Sequence, residues 1–199
     1  MQNHLVFHGL AIKKLATPEA IADLIGISPE TIETRLANAV KSGRAIAVDG
    51  RYMLSPLAQI ALEGDYSLYY ADLREDAAFL TAYDDFERIN IALKALITEW
   101  QTVIVGGQPV INDHSDRDHD EKTITRLGDF HERADTILKR LTQGLPRLEY
   151  YRTGLLAALE RAEDGAIEWV SDARIESYHT LWFELHEELL RIVGRQRSE

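Results

Sequence analysis

The stretch Thr17–Leu54, TPEAIADLIGISPETIETRLANAVKSGRAIAVDGRYML, decides how this chain is read. Thr17 is placed to cap a helix that opens at Pro18, with Ile21, Leu24 and Ile25 as its apolar stripe. Gly26-Ile27 supplies a tight turn, and Ser28 stands as the cap of a second helix that opens at Pro29. Ile32, Leu36, Ala39 and Val40 share one face of that second helix, and Gly43 ends it. Two short runs follow, 45–48 and 51–54, split by Asp49-Gly50. That dipeptide accepts the positive φ angles of a two-residue hairpin turn. A polar cap followed at once by proline, used twice, sets the two helix starts.

Helix, turn, helix and ribbon in this order predict a winged helix-turn-helix, a plan that most often lays its second helix in the DNA major groove. Working outward, His4 to Leu15 carries Leu5, Val6, Leu10 and Ile12 and reads as a preceding helix. After the ribbon, Ser55-Pro56 opens a short helix through Leu57, Ile60 and Leu62 that Gly64 is expected to end. The head therefore spans residues 1–63, enough for a small three-helix core with a ribbon.

Charge divides the chain at the same place. Net charge is −11, yet residues 1–63 hold six Lys/Arg and six Asp/Glu, so the whole excess lies in residues 64–199. A globally basic nucleic-acid binder is excluded, while a neutral head on an acidic body leaves the head able to approach phosphates. With 45% hydrophobic and 28% charged residues the composition is that of a soluble globular protein. Cysteine is absent, which excludes disulfides and thiolate chemistry and fits a cytoplasmic setting. No secretory signal and no membrane span is read, since basic residues follow rather than precede the first apolar run.

Residues 64–199 read as four long helices, hence an antiparallel α-helical bundle serving as an effector or dimerisation domain. The first runs from Asp65 to about Trp100, with a break near Asp76, and its apolar surface is the expected homodimer element. Gly106-Gly107-Gln108-Pro109 stops it, and a polar loop to about Glu121 follows, with Asp120 as the cap of the next helix. Ile124, Leu127, His131, Ala134, Leu138 and Leu141 alternate at spacings of three and four, an inward stripe. A third helix covers 147–163, and a last one begins at Ser171 or Asp172 and ends near Val193.

Residues able to carry chemistry are few. On the second helix of the head, Thr31, Thr34, Arg35 and Asn38 are exposed, with Ser28 at its start and Arg44 and Arg51 bracketing the wing. Arg can fork to guanine, Asn can pair with adenine, and Ser or Thr can reach phosphates. Glu30 and Glu33 oppose this, since they face where phosphates would lie. In the bundle, His131, His179 and His186 are candidate ligands for a divalent metal or small acid, against the plainer reading of core histidines paired with acids such as Glu184, Glu187 or Asp135. His4 and His8, at i and i+4, are expected at the surface or in a dimer contact. The loop 112–121 is rich in oxygen ligands but lacks the glycine and glutamate of an EF-hand and reads as solvated. No Walker loop, nucleophile elbow or H-E-x-x-H motif occurs, so no enzyme is expected.

Ser28-Pro29-Glu30-Thr31-Ile32, Val48-Asp49-Gly50-Arg51-Tyr52 and Leu54-Ser55-Pro56-Leu57-Ala58 resemble segments of bacterial one-component regulators, the last most like those of the MarR group. A winged head before an acidic helical bundle resembles the layout of GntR-type regulators. That resemblance implies a dimeric transcriptional regulator binding double-stranded DNA, and a metal held by an Asp and several His in the bundle. The Asp-x-x-x-His pair of that family is missing, and His131-x-x-x-Asp135 has the reverse order. The rival expectation is a winged-helix adaptor for protein contact without DNA affinity, accessory to a metabolic enzyme. Similar winged segments accompany phosphoenolpyruvate-utilising dikinase-like enzymes.

Overall fold

Pro18 and Pro29 each begin a helix because a missing N–H costs nothing in the first turn. The computed structural model describes residues 2–196, and there the head elements are α1 (Gln2–Lys13), α2 (Pro18–Ile25), α3 (Pro29–Lys41), β1 (Ala45–Val48), β2 (Arg51–Leu54) and α4 (Pro56–Tyr69). Thr17 caps α2 as read, its Oγ1 accepting the Ala20 N–H at 3.3 Å. Ser28 does not: its hydroxyl lies 2.9 Å from Thr31 Oγ1 and makes no bond to the helix backbone. Two hydroxyls one turn apart satisfy each other, and the orphan amides of α3 are left to other partners.

β1 and β2 form an antiparallel ribbon with Ala45 opposite Leu54 and Val48 opposite Arg51. Ala16 adds an isolated bridge to Tyr52, exchanging both backbone bonds at 2.8 and 3.0 Å. Ile32 and Leu36 are fully covered and Ala39 is buried, but Val40 is exposed, because it sits on the far edge of the stripe. Each fully buried Ile or Leu here contributes roughly 1.5–3 kcal/mol of transfer free energy. α1 lies so near α2 that a Cβ on Gly9 would meet Ile21 Cγ2 at 3.0 Å.

Gly64 does not stop α4. Its backbone is not left-handed, and the helix runs on to Tyr69 because Leu62 and Tyr66 continue the buried stripe. One interior glycine costs about 1 kcal/mol, less than those side chains supply. α5 (Ala71–Glu75) and α6 (Ala77–Gln101) follow, separated at Asp76, where the break is expected.

The largest departure follows α6. Residues expected to form a helix end and a loop instead form a second antiparallel ribbon, β3 (Thr102–Val105) and β4 (Gln108–Ile111), turning at Gly106-Gly107. Both glycines take positive φ, 60° and 81°, as a two-residue turn between twisted strands demands. The β-branched run Thr102-Val103-Ile104-Val105 favours a strand once the turn is set.

α7 (Arg117–Gly144) opens at Asp116, whose carboxylate accepts the His119 N–H at 3.1 Å. Asp120 is not the cap: it is buried inside the first turn, against Asn112 and His114. A 3-10 turn at Pro146–Leu148 leads to α8 (Glu149–Glu163). α9 spans Tyr178–Val193, starting later than the stripe suggests, because Ser177 caps it through the Thr180 N–H and residues 170–177 turn irregularly before it.

The protein is thus mainly helical, with the helical-bundle character expected beyond the head. The chain divides into two compact units. One gathers residues up to Ala77 together with those from His186 onward; the other holds Ala78–Leu185, so the division falls inside α9. Met1 and 197–199, the outer ends of the two sequence-drawn domains, lie outside the described residues.

Candidate nucleic-acid interface

α3 is amphipathic, and its polar side borders an open cleft of about 710 Å³. Glu30, Thr31, Thr34, Arg35, Asn38, Ser42 and Arg44 line it from α3 and the following turn, and Asn3, Val6 and Phe7 from α1. Five of the seven residues read from the sequence as DNA contacts therefore meet in one place: Thr31, Thr34, Arg35, Asn38 and Arg44. Spacings of three and four set Thr31, Arg35, Asn38 and Ser42 along one stripe beside the buried one. Ser28 joins through its hydroxyl contact with Thr31. Arg51 lies outside the cleft, at the tip of the ribbon opposite Val48.

The side chains are not all idle. Arg35 Nη1 donates to Asn3 Oδ1 at 2.5 Å, which orients the guanidinium along the cleft. The Thr34 hydroxyl donates back to the Glu30 carbonyl at 3.1 Å. Glu30 and Glu33 are exposed, as read. The arrangement is a shallow polar face with forked and short donors, and with one carboxylate among them.

Below α1, the same unit carries a buried polar relay that the sequence did not reveal. His4 and His8 are not at the surface; they are 4% and 0% exposed. His8 Nδ1 lies 2.7 Å from Tyr66 Oη, and its Nε2 lies 3.2 Å from Glu188 Oε1, itself fully buried. The i, i+4 spacing does put both rings on one helix face, but that face meets Tyr66, Tyr69 and Tyr70 rather than water. Burial pushes the Tyr66 phenol well above its ordinary pKa, with Arg191 acting in the opposite sense. Arg191 is held charged by Glu63 and Glu187 despite its burial. Arg74 finishes the end of α9, donating to the Ile192 and Arg191 carbonyls at 2.7 and 3.1 Å. A pattern with a period of four could have flagged His4 and His8 as inward, had their polarity not argued for solvent.

The bundle histidines differ in their surroundings. His131 is buried on the α7 stripe, as expected, with Nδ1 3.1 Å from Tyr178 Oη, and burial lowers its pKa. The Asp135 charge acts in the opposite sense on the ring, but its carboxylate is bonded elsewhere. Although partial burial works against the charge, Lys139 and Arg152 hold the Asp135 carboxyl below the usual range, at 2.7 and 2.6 Å. His179 is half-buried with its pKa lowered by burial. His186 is buried in the other unit. Among the described residues no group of three or more His, Asp and Glu is placed to hold a metal ion.

In the loop 112–121, Asp120 receives Asn112 Nδ2 at 3.1 Å and lies 3.0 Å from His114 Nδ1, while Asn112 also donates to the Trp100 carbonyl at 2.9 Å. These contacts fasten the foot of the β3–β4 ribbon. Among the described residues no helix is long and apolar enough to cross a membrane. No family model, no curated protein and no solved structure matches this chain.

Proposed function

We propose that this chain is a DNA-binding transcriptional regulator, with residues 17–54 as a winged helix-turn-helix and the later helices as an effector-sensing or dimerisation bundle. The observation that carries the reading is the meeting of Thr31, Thr34, Arg35, Asn38 and Arg44 in one open cleft along α3 and the turn after it, with Arg51 at the ribbon tip. Arg35 and Asn38 would read base edges, and Ser28, Thr31 and Arg44 would take phosphates. Working as a homodimer, two such heads would meet half-sites about 34–36 Å apart.

The test is a titration of the full chain against duplex DNA from upstream of its own gene, at about 50 and 200 mM salt. Binding that weakens steeply with salt is expected, because phosphate neutralisation releases counterions. Replacing Arg35 and Arg51 together by Ala should weaken it at least tenfold, the loss of about one good base contact. No binding at the lower salt, or no effect of the double replacement, sinks the reading.

A second reading, a winged-helix adaptor that contacts protein, is favoured by one observation. Glu30 shares the cleft, and Asn3 already occupies one donor of Arg35. Under that reading Glu30→Gln leaves DNA binding absent, whereas under the first it strengthens binding.

A further inference from the structure

The ribbon β3–β4 is ten residues, Thr102–Ile111, without a single charge in a chain of net charge −11. Ile104 is 71% exposed and Ile111 86%, and they share one face with Pro109 and Thr102. No third strand accompanies the pair among the described residues. A lone two-stranded ribbon is marginal in water and gains independent stability when further strands or a cover are added. Yet its foot is firmly built, through the buried Asn112 and Asp120.

The two outer edges differ in a way that specifies the missing strand. A two-residue turn at Gly106-Gly107 makes Val105 and Gln108 the first hydrogen-bonded pair, so Val103 and Val110 are the next. The Asn112 N–H bonding the Gln101 carbonyl at 2.9 Å continues the same alternation. The backbone groups of Ile104 therefore point outward from β3, and those of Pro109 outward from β4. β3 offers an open donor and acceptor at Ile104, flanked by β-branched residues. At the matching place β4 has no N–H to give. One edge is open at its centre, and the other is interrupted there by Pro109, leaving Ile111 as its outward donor.

We propose that β3 pairs antiparallel with β3 of a second copy of this chain, about a twofold axis at Ile104. Each Ile104 N–H then meets the other copy's Ile104 carbonyl, and Thr102 lies opposite Gly106. The result is a four-stranded sheet in the order β4, β3, β3, β4. An isologous contact of this kind closes on itself. Pro109 at both outer edges ends the sheet at two copies, the usual means by which exposed edges are kept from growing. A second copy suits the edge better than a charged partner segment, since an uncharged strand meets its own copy with no like-charge opposition. The proposal specifies the homodimer of the preceding reading and rests on that part alone, not on DNA binding.

Mass measurement in solution by light scattering or sedimentation, on the full chain without DNA, tests it across about 1–200 µM. The wild type is expected at twice the chain mass. Ile104→Pro removes the outward N–H while sparing the inner ladder, and should give monomer with unchanged helix content by circular dichroism. Ile104→Lys, which brings two like charges to the twofold axis, should do the same and guards against a proline-specific fault. Pro109→Val opens the second edge and should give concentration-dependent species larger than dimer. A monomeric wild type overturns the proposal. So does a dimer that survives both Ile104 variants, which would assign the contact to another surface such as the exposed Leu57, Ile60 and Leu68 of α4. If the dimer is lost in the Ile104 variants yet the wild type binds no DNA, the interface stands and only the DNA reading falls.

Discussion

The two ribbons are nearly the same object in different surroundings. Each has two four-residue strands and a two-residue turn with positive φ at both positions, Asp49-Gly50 in one and Gly106-Gly107 in the other. β1–β2 turns Ala45 and Leu54 into a core, gains a bridge from Ala16, and displays Arg44 and Arg51 at its margins. β3–β4 is pinned at its foot, and Ile104, Val105, Val110 and Ile111 stay in water. The lesson is that a hairpin signal sets the turn and the pairing but says nothing of what covers the strands. The first ribbon is covered by its own chain at Ala45 and Leu54 and leaves Ile46, Val48 and Met53 exposed toward its tip. The second has an edge shaped to be covered by another.

The sharpest test of that contrast is Leu54→Ala, which opens a cavity beneath the first ribbon and should cost about 2–5 kcal/mol in denaturant unfolding. Asn112→Ala removes the amide that ties the second ribbon to Trp100 and Asp120, and should cost about 1–3 kcal/mol by leaving a buried carboxylate short of a donor. Hydrogen exchange should then quicken in 102–111 and not in 45–54; equal quickening in both would break the distinction. Replacing Gly50 or Gly106 by Ala forces a Cβ into left-handed backbone and should cost about 1–2 kcal/mol at either turn, the one respect in which the ribbons should behave alike. A pH series asks whether acid sensitivity includes the second unit. Burial lowers the folded pKa of His131 and His179, so the unfolded chain binds more protons once pH falls below about 6.5. Stability from these groups is present above that value and is lost as pH falls toward their folded pKa values. His131→Gln should flatten the decline of unfolding free energy from pH 7 to 5, whatever it does at pH 7; an unchanged slope refutes this. The smallest effect belongs to Ile111→Ala, within about 0.5 kcal/mol in the isolated chain, because an exposed side chain has little to lose.

Much of the head is legible in the sequence. Thr17-Pro18, Ser28-Pro29 and Asp49-Gly50 place the starts of α2 and α3 and the first turn, since caps, proline and positive-φ dipeptides act within a few residues. Thr31, Thr34, Arg35 and Asn38 of the α3 cleft are also within reach, because helical periodicity places them on one side of the helix. The misreadings share one cause. Gly64 looks like a helix end, Asp120 like a cap and His4-His8 like a surface pair, and each was overruled by a distant packing partner. Gly106-Gly107-Gln108-Pro109 reads as a stop, but stop and turn look alike until the strands on either side are paired.

Local chemistry, then, determined the helix starts, the first ribbon, the excess of acid beyond the head and the polar stripe of α3, because those features depend on neighbours three or four residues away. Tertiary structure alone decided that His8 lies fully buried between Tyr66 and Glu188, that His131 meets the Tyr178 hydroxyl, and that a second ribbon stands with Ile104 and Ile111 in water. Those outcomes turn on which surfaces meet across tens of residues, and burial, not propensity, sets the energy of such contacts.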